Sequence, residues 1–530
     1  MEQFDYIVVG AGSAGCAVAA RLSESGRYTV LLLEAGGRDT NPWIHIPVGY
    51  GKTFINEDLT WQYFTEPSPG LNGRSIFTPS GRVLGGSSSI NGLVYLRGRR
   101  EDFDDWRQDG NPGWSYDDVL PFFRKSERQQ RGANTFHGTD GTLGVSDLAD
   151  DNPLCSAFLQ SAFAAGHAPN DDFNGSHQEG FGQFQMTARK GKRISSAVAF
   201  LSGARKRPNL LVRTRAEVER VLLEDRVVTG VRYMMGDMPM EARARRCVVL
   251  SAGGINSPTI LQRSGIGRPE WLREAGIEVG HELPGVGDNL HDHIQARLVL
   301  HSRRHPTLNT KIRSPFHMAA MALQYALFRK GPLASSGAQV GGFVRSRSEL
   351  DCPDIMVMFM PFSSVDYRKG LDSFPGFSIS VLQMRPESRG SVRVRSANRA
   401  TAPMIHPNYL FAETDRRTLI DGLRVARRIT AMDPLRQEIE REERPGVDVE
   451  SDDDLLSYIR ATAGSVYHPV GTCKMGSGPN AVVDAKLRVH GLAGLVVADA
   501  SIMPSIVSGP TNATSIMIGE RAASLLMDDH

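Results

Sequence analysis

A glycine-rich turn near the amino terminus constrains the fold of this chain more than any other feature. The apolar run at residues 6–9 is followed by Gly10, Gly12 and Gly15, which have the Gly-x-Gly-x-x-Gly spacing of a dinucleotide-binding turn. The first glycine permits the sharp strand-to-helix turn, the second lets the backbone approach a pyrophosphate, and the third lets the helix pack closely on its strand. The pattern predicts a pyrophosphate at the N-terminus of the helix, where free N–H groups and the helix dipole favour an anion.

A second strand and its terminal acid strengthen this prediction. The apolar run at residues 29–33 ends in Glu34, whose carboxylate can accept hydrogen bonds from both ribose hydroxyls of an adenosine. A glycine motif alone is weak evidence for a nucleotide site. With its strand, helix and acid in place, it predicts an α/β domain of the Rossmann type that binds a dinucleotide.

The composition excludes several other classes of protein. Hydrophobic residues make up 40% and charged residues 23% of the 530 residues, as in ordinary globular proteins. The balance of 61 Lys and Arg against 59 Asp and Glu gives no global field favouring nucleic acid or a membrane surface. Five scattered cysteines without a Cys-x-x-Cys pair suit a reducing compartment. We therefore expect a cytoplasmic protein without an integral membrane segment or a nucleic-acid partner.

Residues 81–98 form a second informative segment. Two adjacent glycines and three serines are interleaved there with apolar residues such as Leu84, Ile90 and Tyr95. Such a backbone can come close to a flat ligand and donate N–H groups to it. The regular apolar residues disfavour the alternative interpretation as a flexible linker.

These segments and four later ones resemble the signatures of the glucose–methanol–choline (GMC) oxidoreductase family. The later segments are residues 253–267, 284–293, 467–476 and 509–514, in the order of the family. The resemblance implies bound FAD and oxidation of a primary or secondary alcohol, including polyols and sugars. It also implies an α/β fold, in which a Rossmann-like FAD-binding domain of the p-hydroxybenzoate-hydroxylase type is joined to a separate α+β substrate-binding domain on an antiparallel sheet.

This organisation divides the chain into five segments. We expect the FAD-binding domain to comprise residues 1–155, 201–297 and 459–530. The substrate-binding domain would comprise residues 156–200 and 298–458. Bulky apolar residues at 355–362 and 374–384 predict strands in the second of these segments.

The resemblance implies a pair of catalytic residues near the carboxyl terminus. His468 matches the histidine that takes the alcohol proton in family members, and an imidazole with an ordinary pKa of roughly 6.5 is a suitable base near neutral pH. Asn512 matches the second member of the family's His–Asn or His–His pair, and its amide can donate to the alcohol oxygen. Asn512 is also typical of a helix N-cap, and both roles are compatible. The helix it opens should point its N-terminus at the flavin.

The same resemblance implies contacts to FAD along the chain. Ile90 stands where some choline-oxidising relatives carry a histidine joined covalently to the flavin, so we expect non-covalent FAD. The predicted cofactor contacts are Gly10, Gly12, Ser13, Ala14, Gly15, Glu34, Ala35, Trp61, Arg82, Val83, Gly86, Ser87, Asn91, Gly92, Leu93, Val94, Val218, Asp499, Ala500, Asn512 and Ala513.

Two further residues are predicted at the substrate site. Tyr467 adjoins the proposed base, and Gln339 aligns with a glutamate that choline-specific relatives direct at a trimethylammonium group. Because a neutral amide cannot supply that charge, choline is disfavoured as the substrate. The sequence His291-Asp292-His293 resembles a metal motif, but no third ligand motif accompanies it, so we expect a loop of the FAD-binding domain and no metal site.

The sequence thus predicts an enzyme that passes a hydride from an alcohol to FAD and then reduces an acceptor. A dehydrogenase with a quinone or dye-like acceptor is favoured over an oxidase that uses O2. The alternatives are a hydroxynitrile lyase with structural FAD and a non-catalytic protein that binds flavin or NAD. Neither the particular alcohol nor the oligomeric state follows from the residues.

Overall fold

The first of two large sheets is built around the amino-terminal strand. The structure, a computed structural model, describes residues 2–528. The parallel part of this sheet contains, in spatial order, the strands Leu210–Thr214, Val30–Glu34, Glu2–Val9, Met238–Leu250 and Leu495–Val497. The antiparallel strands Val227–Met235 and Ala216–Glu224 extend it along the first half of Met238–Leu250. Segments distant in the sequence therefore meet at the carboxyl ends of its parallel strands.

Two helices pack against each other beside this sheet. Ser13–Leu22 follows the glycine turn, and Asn512–Asp528 lies across it near the end of the chain. A Cβ atom at Gly519 would lie 2.4 Å from the carbonyl oxygen of Ala14. The close approach of the helices therefore requires glycine at this position.

An ion pair joins the same two helices. The Nε and Nη2 atoms of Arg21 each lie 2.8 Å from a carboxylate oxygen of Glu520. Glu520 is fully buried, and Ser126 Oγ donates to it at 2.9 Å. This bidentate arrangement compensates the burial of the carboxylate.

The second large sheet is antiparallel throughout. Its strands, in spatial order, are Ile439–Arg444, Ile294–Ser302, Gly376–Gln383, Ile355–Met360, Val340–Val344 and Gly180–Gln183, with Gly464–Ser465 paired to the start of Ile294–Ser302. One face is covered by the helices Pro153–Ala164, Glu413–Thr430, Leu435–Glu438 and Asp452–Thr462. The other face carries the apolar side chains Phe343, Met356, Met360 and Leu382. The prediction of an α/β domain joined to a domain on an antiparallel sheet is confirmed.

Shorter elements connect the two sheets. The remaining helices are Pro42–His45, Tyr50–Thr53, Arg100–Gln108, Tyr116–Ser126, Ser202–Ala204, Gly253–Arg263, Pro269–Glu274, Leu308–Lys311 and Pro315–Phe328. The remaining strands pair as Thr60–Phe64 with Phe77–Gly81, Glu127–Gln129 with Leu143–Val145, Ala188–Arg189 with Lys192–Arg193, Ile266–Gly267 with His281–Glu282, and Ser391–Arg393 with Met404–His406. Across residues 2–528, no helix has both the length and the apolar composition that a bilayer span requires.

Two elements suggest where the domains meet. The helix Pro153–Ala164 packs within the core of the second sheet. Among the described residues, the strand Ile294–Ser302 pairs only with strands of that sheet. We therefore propose domain boundaries before residue 153 and before residue 294, a few residues ahead of the positions expected from the sequence.

The close helix contact predicts a loss of stability for Gly519→Ala. Alanine is the better helix former by about 1 kcal/mol, but its Cβ would overlap the backbone of Ala14, and such overpacking costs about 1–3 kcal/mol. We expect a lower melting temperature by circular dichroism. Gly203→Ala is the matched control, because this helical glycine has open space around it. A Gly519→Ala protein that melts at or above the wild-type temperature would contradict the prediction.

Candidate active site

A cavity of about 710 Å³ lies where the two large sheets approach each other. At one end it is lined by Gly10, Gly12 and Glu34, and at the other by Met358 and Tyr467. Its volume falls in the range of roughly 300–1,000 Å³ that is typical of ligand sites. The cavity therefore joins the predicted dinucleotide turn to the predicted substrate side.

The glycine turn is held by direct contacts between backbones. Gly10 has a φ of +96°, and a Cβ there would lie 2.5 Å from the carbonyl oxygen of Ser251. A Cβ at Gly15 would lie 1.9 Å from the Gly10 oxygen, and one at Gly86 would lie 2.7 Å from Gly12 Cα. Only glycine fits these positions, so the segment at residues 81–98 lies directly against the dinucleotide turn.

Glu34 lies at the carboxyl end of its strand, as the sequence predicts. One carboxylate oxygen accepts a hydrogen bond from the N–H of Ala11 at 2.9 Å, and the other accepts one from Gly36 at 2.8 Å. Burial raises the pKa of Glu34 to about 7. Each oxygen keeps a further lone pair, so the carboxylate can still accept hydrogen bonds from a ribose on the cavity side.

Most of the predicted cofactor contacts line the cavity. These are Gly10, Gly12, Ser13, Ala14, Glu34, Ala35, Trp61, Arg82, Gly86, Ser87, Asn91, Gly92, Leu93, Val94, Val218, Asp499, Ala500 and Asn512. Gly15, Val83 and Ala513 are not among the lining residues; Val83 packs in a small apolar cluster, and Ala513 belongs to the core behind the wall.

The residues present fit an FAD molecule. The turn and the N-terminus of Ser13–Leu22 supply N–H groups for a pyrophosphate, and Glu34 supplies an acceptor for a ribose. Trp61 stacks on Tyr63 with ring centroids 5.9 Å apart, and the guanidinium of Arg82 lies 4.3 Å from the Trp61 centroid. The cavity thus offers an anion site and flat surfaces together, which an FAD requires.

The helix Asn512–Asp528 begins at the cavity wall. Thr511, Asn512 and Ser515 line the cavity, so the positive end of the helix dipole faces it. The hydroxyl of Ser13 donates to Asn512 Oδ1 at 2.8 Å. Since the amide oxygen is engaged in this way, the amide NH2 of Asn512 is left as the donor toward the cavity.

His468 lies on the cavity wall in contact with a second histidine. Its Nδ1 is 3.0 Å from Nδ1 of His293, and His293 Nε2 is 3.2 Å from the carbonyl oxygen of Met384. A carbonyl only accepts, so Nε2 of His293 carries the proton and its Nδ1 is an acceptor. His468 must then donate its own Nδ1–H to His293. This assigns the lone pair of His468 to Nε2, which has no hydrogen-bond partner within residues 2–528.

His293 is fully buried and His468 is half-buried on the cavity wall, and burial sets the charge of both rings. Burial lowers the pKa of His468 well below its ordinary value, with a smaller contribution from His293. Burial likewise lowers the pKa of His293 to about 4. Both rings are therefore neutral near pH 7, as proton abstraction requires.

Asp292 fixes the backbone of the segment that carries His468. Its Oδ1 accepts the backbone N–H of His468 at 2.7 Å. Its Oδ2 accepts the hydroxyls of Ser465 at 2.5 Å and Tyr409 at 2.6 Å. This carboxylate thus ties the loop of the proposed base to the second sheet.

Sequence reasoning missed the parts played by Asp292 and His293. It assigned both to a loop of the FAD-binding domain. Three polar, titratable residues directly before an apolar strand could have predicted side chains that face the cavity. His291 does not take part in the contact with His468, because its Nδ1 lies 2.6 Å from the carbonyl oxygen of Asn289, two residues earlier. In residues 2–528, no three His, Cys, Asp or Glu side chains are grouped so that they could hold a metal ion.

The wall beside His468 is apolar and aromatic. The ring centroid of Phe54 lies 6.3 Å from that of Tyr467 and 5.7 Å from that of Tyr367. The guanidinium of Arg297 lies 4.7 Å from the Tyr367 centroid. Further lining side chains in this half are Tyr50, Met358, Met360, Leu382 and Val466. Sequence reasoning identified only Tyr467 of this set.

The carboxylates of the cavity lie on its other side. The acidic lining residues are Glu34, Glu217 and Asp499, each within or directly after a strand of the first sheet. Among residues 2–528, the lining of the half beside His468 therefore includes a cation, Arg297, and no carboxylate.

Gln339 does not line the cavity, contrary to the expectation for a substrate contact. Its Oε1 accepts from the thiol of Cys155 at 3.2 Å, and its Nε2 lies 3.4 Å from Asp150. Side chains alternate between the two faces of a strand, and it is the neighbouring Ala338 that faces the cavity. We therefore do not propose Gln339 as a substrate contact.

Comparison with known proteins agrees with this geometry. The family profiles described as GMC oxidoreductase match residues 4–295 and 386–519. The chain is 42% identical to the alcohol dehydrogenase [acceptor] of Pseudomonas putida, over 99% of this chain and 96% of that protein. It is 42% identical to the mitochondrial choline dehydrogenase of Mus musculus, over 99% and 89%. The crystal structure of pyridoxine 4-oxidase from Mesorbium loti superimposes with a TM-score of 0.90 at 31% identity, covering 99% of both chains.

The position of Glu34 predicts weaker FAD binding for Glu34→Gln. The amide would present an NH2 group where a carboxylate oxygen now accepts a backbone N–H, and it would offer fewer acceptors to a ribose. Because a hydrogen bond to a charged group contributes about 1.5–3 kcal/mol, we expect the dissociation constant of FAD to rise about 10- to 100-fold. The measurement is flavin absorbance retained after dialysis. Glu349→Gln, at an exposed carboxylate, is the control, and equal retention in the two variants would contradict the prediction.

Proposed function

The chain belongs to the GMC oxidoreductase family and is an FAD-dependent oxidoreductase acting on CH–OH donors. From this premise, we propose that it is a dehydrogenase of neutral, largely apolar primary alcohols. The observation that carries this proposal is the neutral pair formed by His293 and His468. It leaves a lone pair on Nε2 of His468 at the wall of a cavity whose other end is a dinucleotide-binding turn.

In the proposed reaction, His468 Nε2 accepts the hydroxyl proton of the alcohol. The resulting positive charge on His468 is stabilised because its Nδ1–H still donates to neutral His293. The amide NH2 of Asn512, oriented by Ser13, donates to the alcohol oxygen and holds it in place. FAD, when bound, would accept the hydride that leaves the carbinol carbon. The positive end of the Asn512–Asp528 helix dipole would stabilise negative charge on a ligand in the part of the cavity that Asn512 lines.

The mode of FAD binding and the compartment are also proposals. Ile90 lines the cavity with hydrocarbon only, which supports non-covalent FAD. All five cysteines are free thiols, which supports a reducing compartment such as the cytoplasm.

The substrate class is inferred from the wall beside His468. Aromatic and methionine side chains there favour an apolar chain. Arg297 lies over the Tyr367 ring and repels a quaternary ammonium group, and the lining carboxylates, which would attract such a group, lie on the other side of the cavity. The relatives include one named for alcohol and one named for choline. We propose that this chain resembles the former in its substrate.

Anaerobic reduction by alcohols tests this function. We expect the flavin absorbance of the purified protein to bleach with apolar primary alcohols and to bleach much more slowly with choline. We also expect slow recovery on admission of air, because we propose an acceptor other than O2. Bleaching by choline alone would contradict the substrate class, and fast recovery in air would favour an oxidase. A flavin that no alcohol bleaches would favour the lyase or a non-catalytic protein.

Replacement of the proposed base sharpens that test. His468→Ala should reduce the rate of flavin bleaching by about 10²- to 10⁴-fold while the protein retains its FAD. His177→Ala, at an exposed histidine of the surface, is the matched control. A His468→Ala protein that bleaches at the wild-type rate would contradict the assignment.

The contact between the two histidines predicts a positioning role for His293. His293→Leu removes the acceptor for His468 Nδ1–H, so the proton can move to Nε2 and the base is lost in part of the molecules. We expect kcat to fall more than KM rises, with partial recovery in His293→Gln, whose amide oxygen can accept the same proton. We also expect the acid limb of the wild-type kcat/KM profile to lie below pH 6.5, since burial lowers the pKa of His468. Equal activity in the leucine and glutamine variants would contradict this role.

A further inference from the structure

The helix Pro315–Phe328 exposes an unusual amount of apolar surface. Of its fourteen residues only Met321 and Tyr325 are buried. The hydroxyl of Tyr325 donates to the carbonyl of Gly191 at 3.0 Å, which fixes the helix to the body of the protein by that one side. The remaining surface of the helix faces outward.

The outward side carries a continuous apolar stripe. Phe316, Ala320, Leu323 and Leu327 follow one another at intervals of three and four residues, so they share one face of the helix. Phe316 is 79%, Leu323 60% and Leu327 65% exposed. This face lies opposite the one that buries Met321 and Tyr325. A surface helix of a globular protein normally presents polar side chains there, so the apolar stripe points to a binding partner.

Basic residues stand at both ends of this helix. Lys311 and Arg313 precede it, and Arg329 and Lys330 follow it. None of the four forms an ion pair with a carboxylate among residues 2–528. Residues 293–348 contain nine Lys and Arg and no Asp or Glu. The apolar stripe therefore lies between two basic ends in a stretch of chain without carboxylates. Two acidic groups, Asp150 and Asp151, come from another segment and line the groove beside Arg329.

We propose that the helix Pro315–Phe328 docks the protein onto an anionic lipid bilayer, lying in the plane of the headgroups. An apolar face with basic flanks is the pattern of interfacial helices, and anionic lipids attract each Lys or Arg near the surface. At 1.5 Å per residue the helix is about 21 Å long, too short to cross a hydrocarbon core of about 30 Å.

Charge argues against a second copy of the chain as the occupant. In a two-fold contact the same patch is present on both partners, so the basic residues at the helix ends would face one another. Lipid phosphates, in contrast, would neutralise them. The docking face also connects to the active site, because the chain runs from the helix through the turn Pro332–Ala334 to Gly337 and Ala338, which line the cavity.

Co-sedimentation of the full-length holoenzyme with lipid vesicles tests the proposal. We expect binding to vesicles of phosphatidylcholine that contain about one quarter phosphatidylglycerol, and binding about tenfold weaker or less to phosphatidylcholine alone or in high salt. The triple variant Phe316→Ser, Leu323→Ser, Leu327→Ser should lose about tenfold or more in affinity. The double variant Arg329→Gln, Lys330→Gln should lose about 20- to 30-fold.

A matched control separates docking from a general loss of surface apolarity. Phe411→Ser with Val447→Ser removes two other exposed apolar side chains, which are 71% and 64% exposed, and should leave vesicle binding unchanged. Flavin absorbance and turnover with a soluble dye should be the same in all variants, since none of these residues lines the cavity.

Three outcomes would overturn the proposal. The first is a wild-type protein that does not sediment with anionic vesicles, and the second is a triple variant that sediments as well as the wild type. A wild-type dimer that the triple variant converts to a monomer, without any vesicle binding, would assign the stripe to a second copy instead. The oligomeric state is measured by light scattering after size exclusion.

Discussion

Contact between glycine backbones is the constraint on which the rest of this structure depends. Gly10 lies against Ser251, Gly86 against Gly12, and Gly519 against Ala14. These contacts join the first strand, the segment at residues 81–98, a strand about 240 residues later and the last helix. Each contact would be broken by a single methyl group. The cofactor end of the cavity is therefore formed by segments that no shorter piece of the chain contains.

The proposed base depends on a contact among segments at the ends of three strands of the second sheet. His468 follows the strand Gly464–Ser465, whereas Met384 follows the strand Gly376–Gln383. The carbonyl of Met384 fixes the proton on His293, and His293 in turn fixes the proton on His468. A shift between these segments would alter the tautomer of the base without moving any group that touches substrate. Burial supplies the second condition, because a charged imidazole is costly when no carboxylate within residues 2–528 forms an ion pair with either ring.

The sequence predicts the part of the site whose residues lie close together along the chain. The glycine turn and Glu34 lie within one strand–helix–strand unit, so the distances along the chain determine the distances in space. The contact between His293 and His468 joins residues far apart in the sequence. Its direction is set by the carbonyl oxygen of Met384, and no side-chain pattern records a carbonyl. The prediction for Gln339 fails for a different reason. Gln339 directly precedes the strand Val340–Val344, and the side on which such a residue points depends on a one-residue register that composition does not show.

Averages over the whole chain also conceal local surfaces. The nearly balanced total of 61 basic and 59 acidic residues excludes a strong net electrostatic field around the whole protein. It is still compatible with a local stretch, residues 293–348, that contains no Asp or Glu. The apolar residues of the helix Pro315–Phe328 likewise suit the core of a substrate-binding domain when they are read as a sequence. The three-dimensional structure shows that the buried face of this helix consists of Met321 and Tyr325. Phe316, Leu323 and Leu327 lie on the opposite face and are exposed. The apolar residues of this helix thus form a surface, because a single contact covers only one face of a helix.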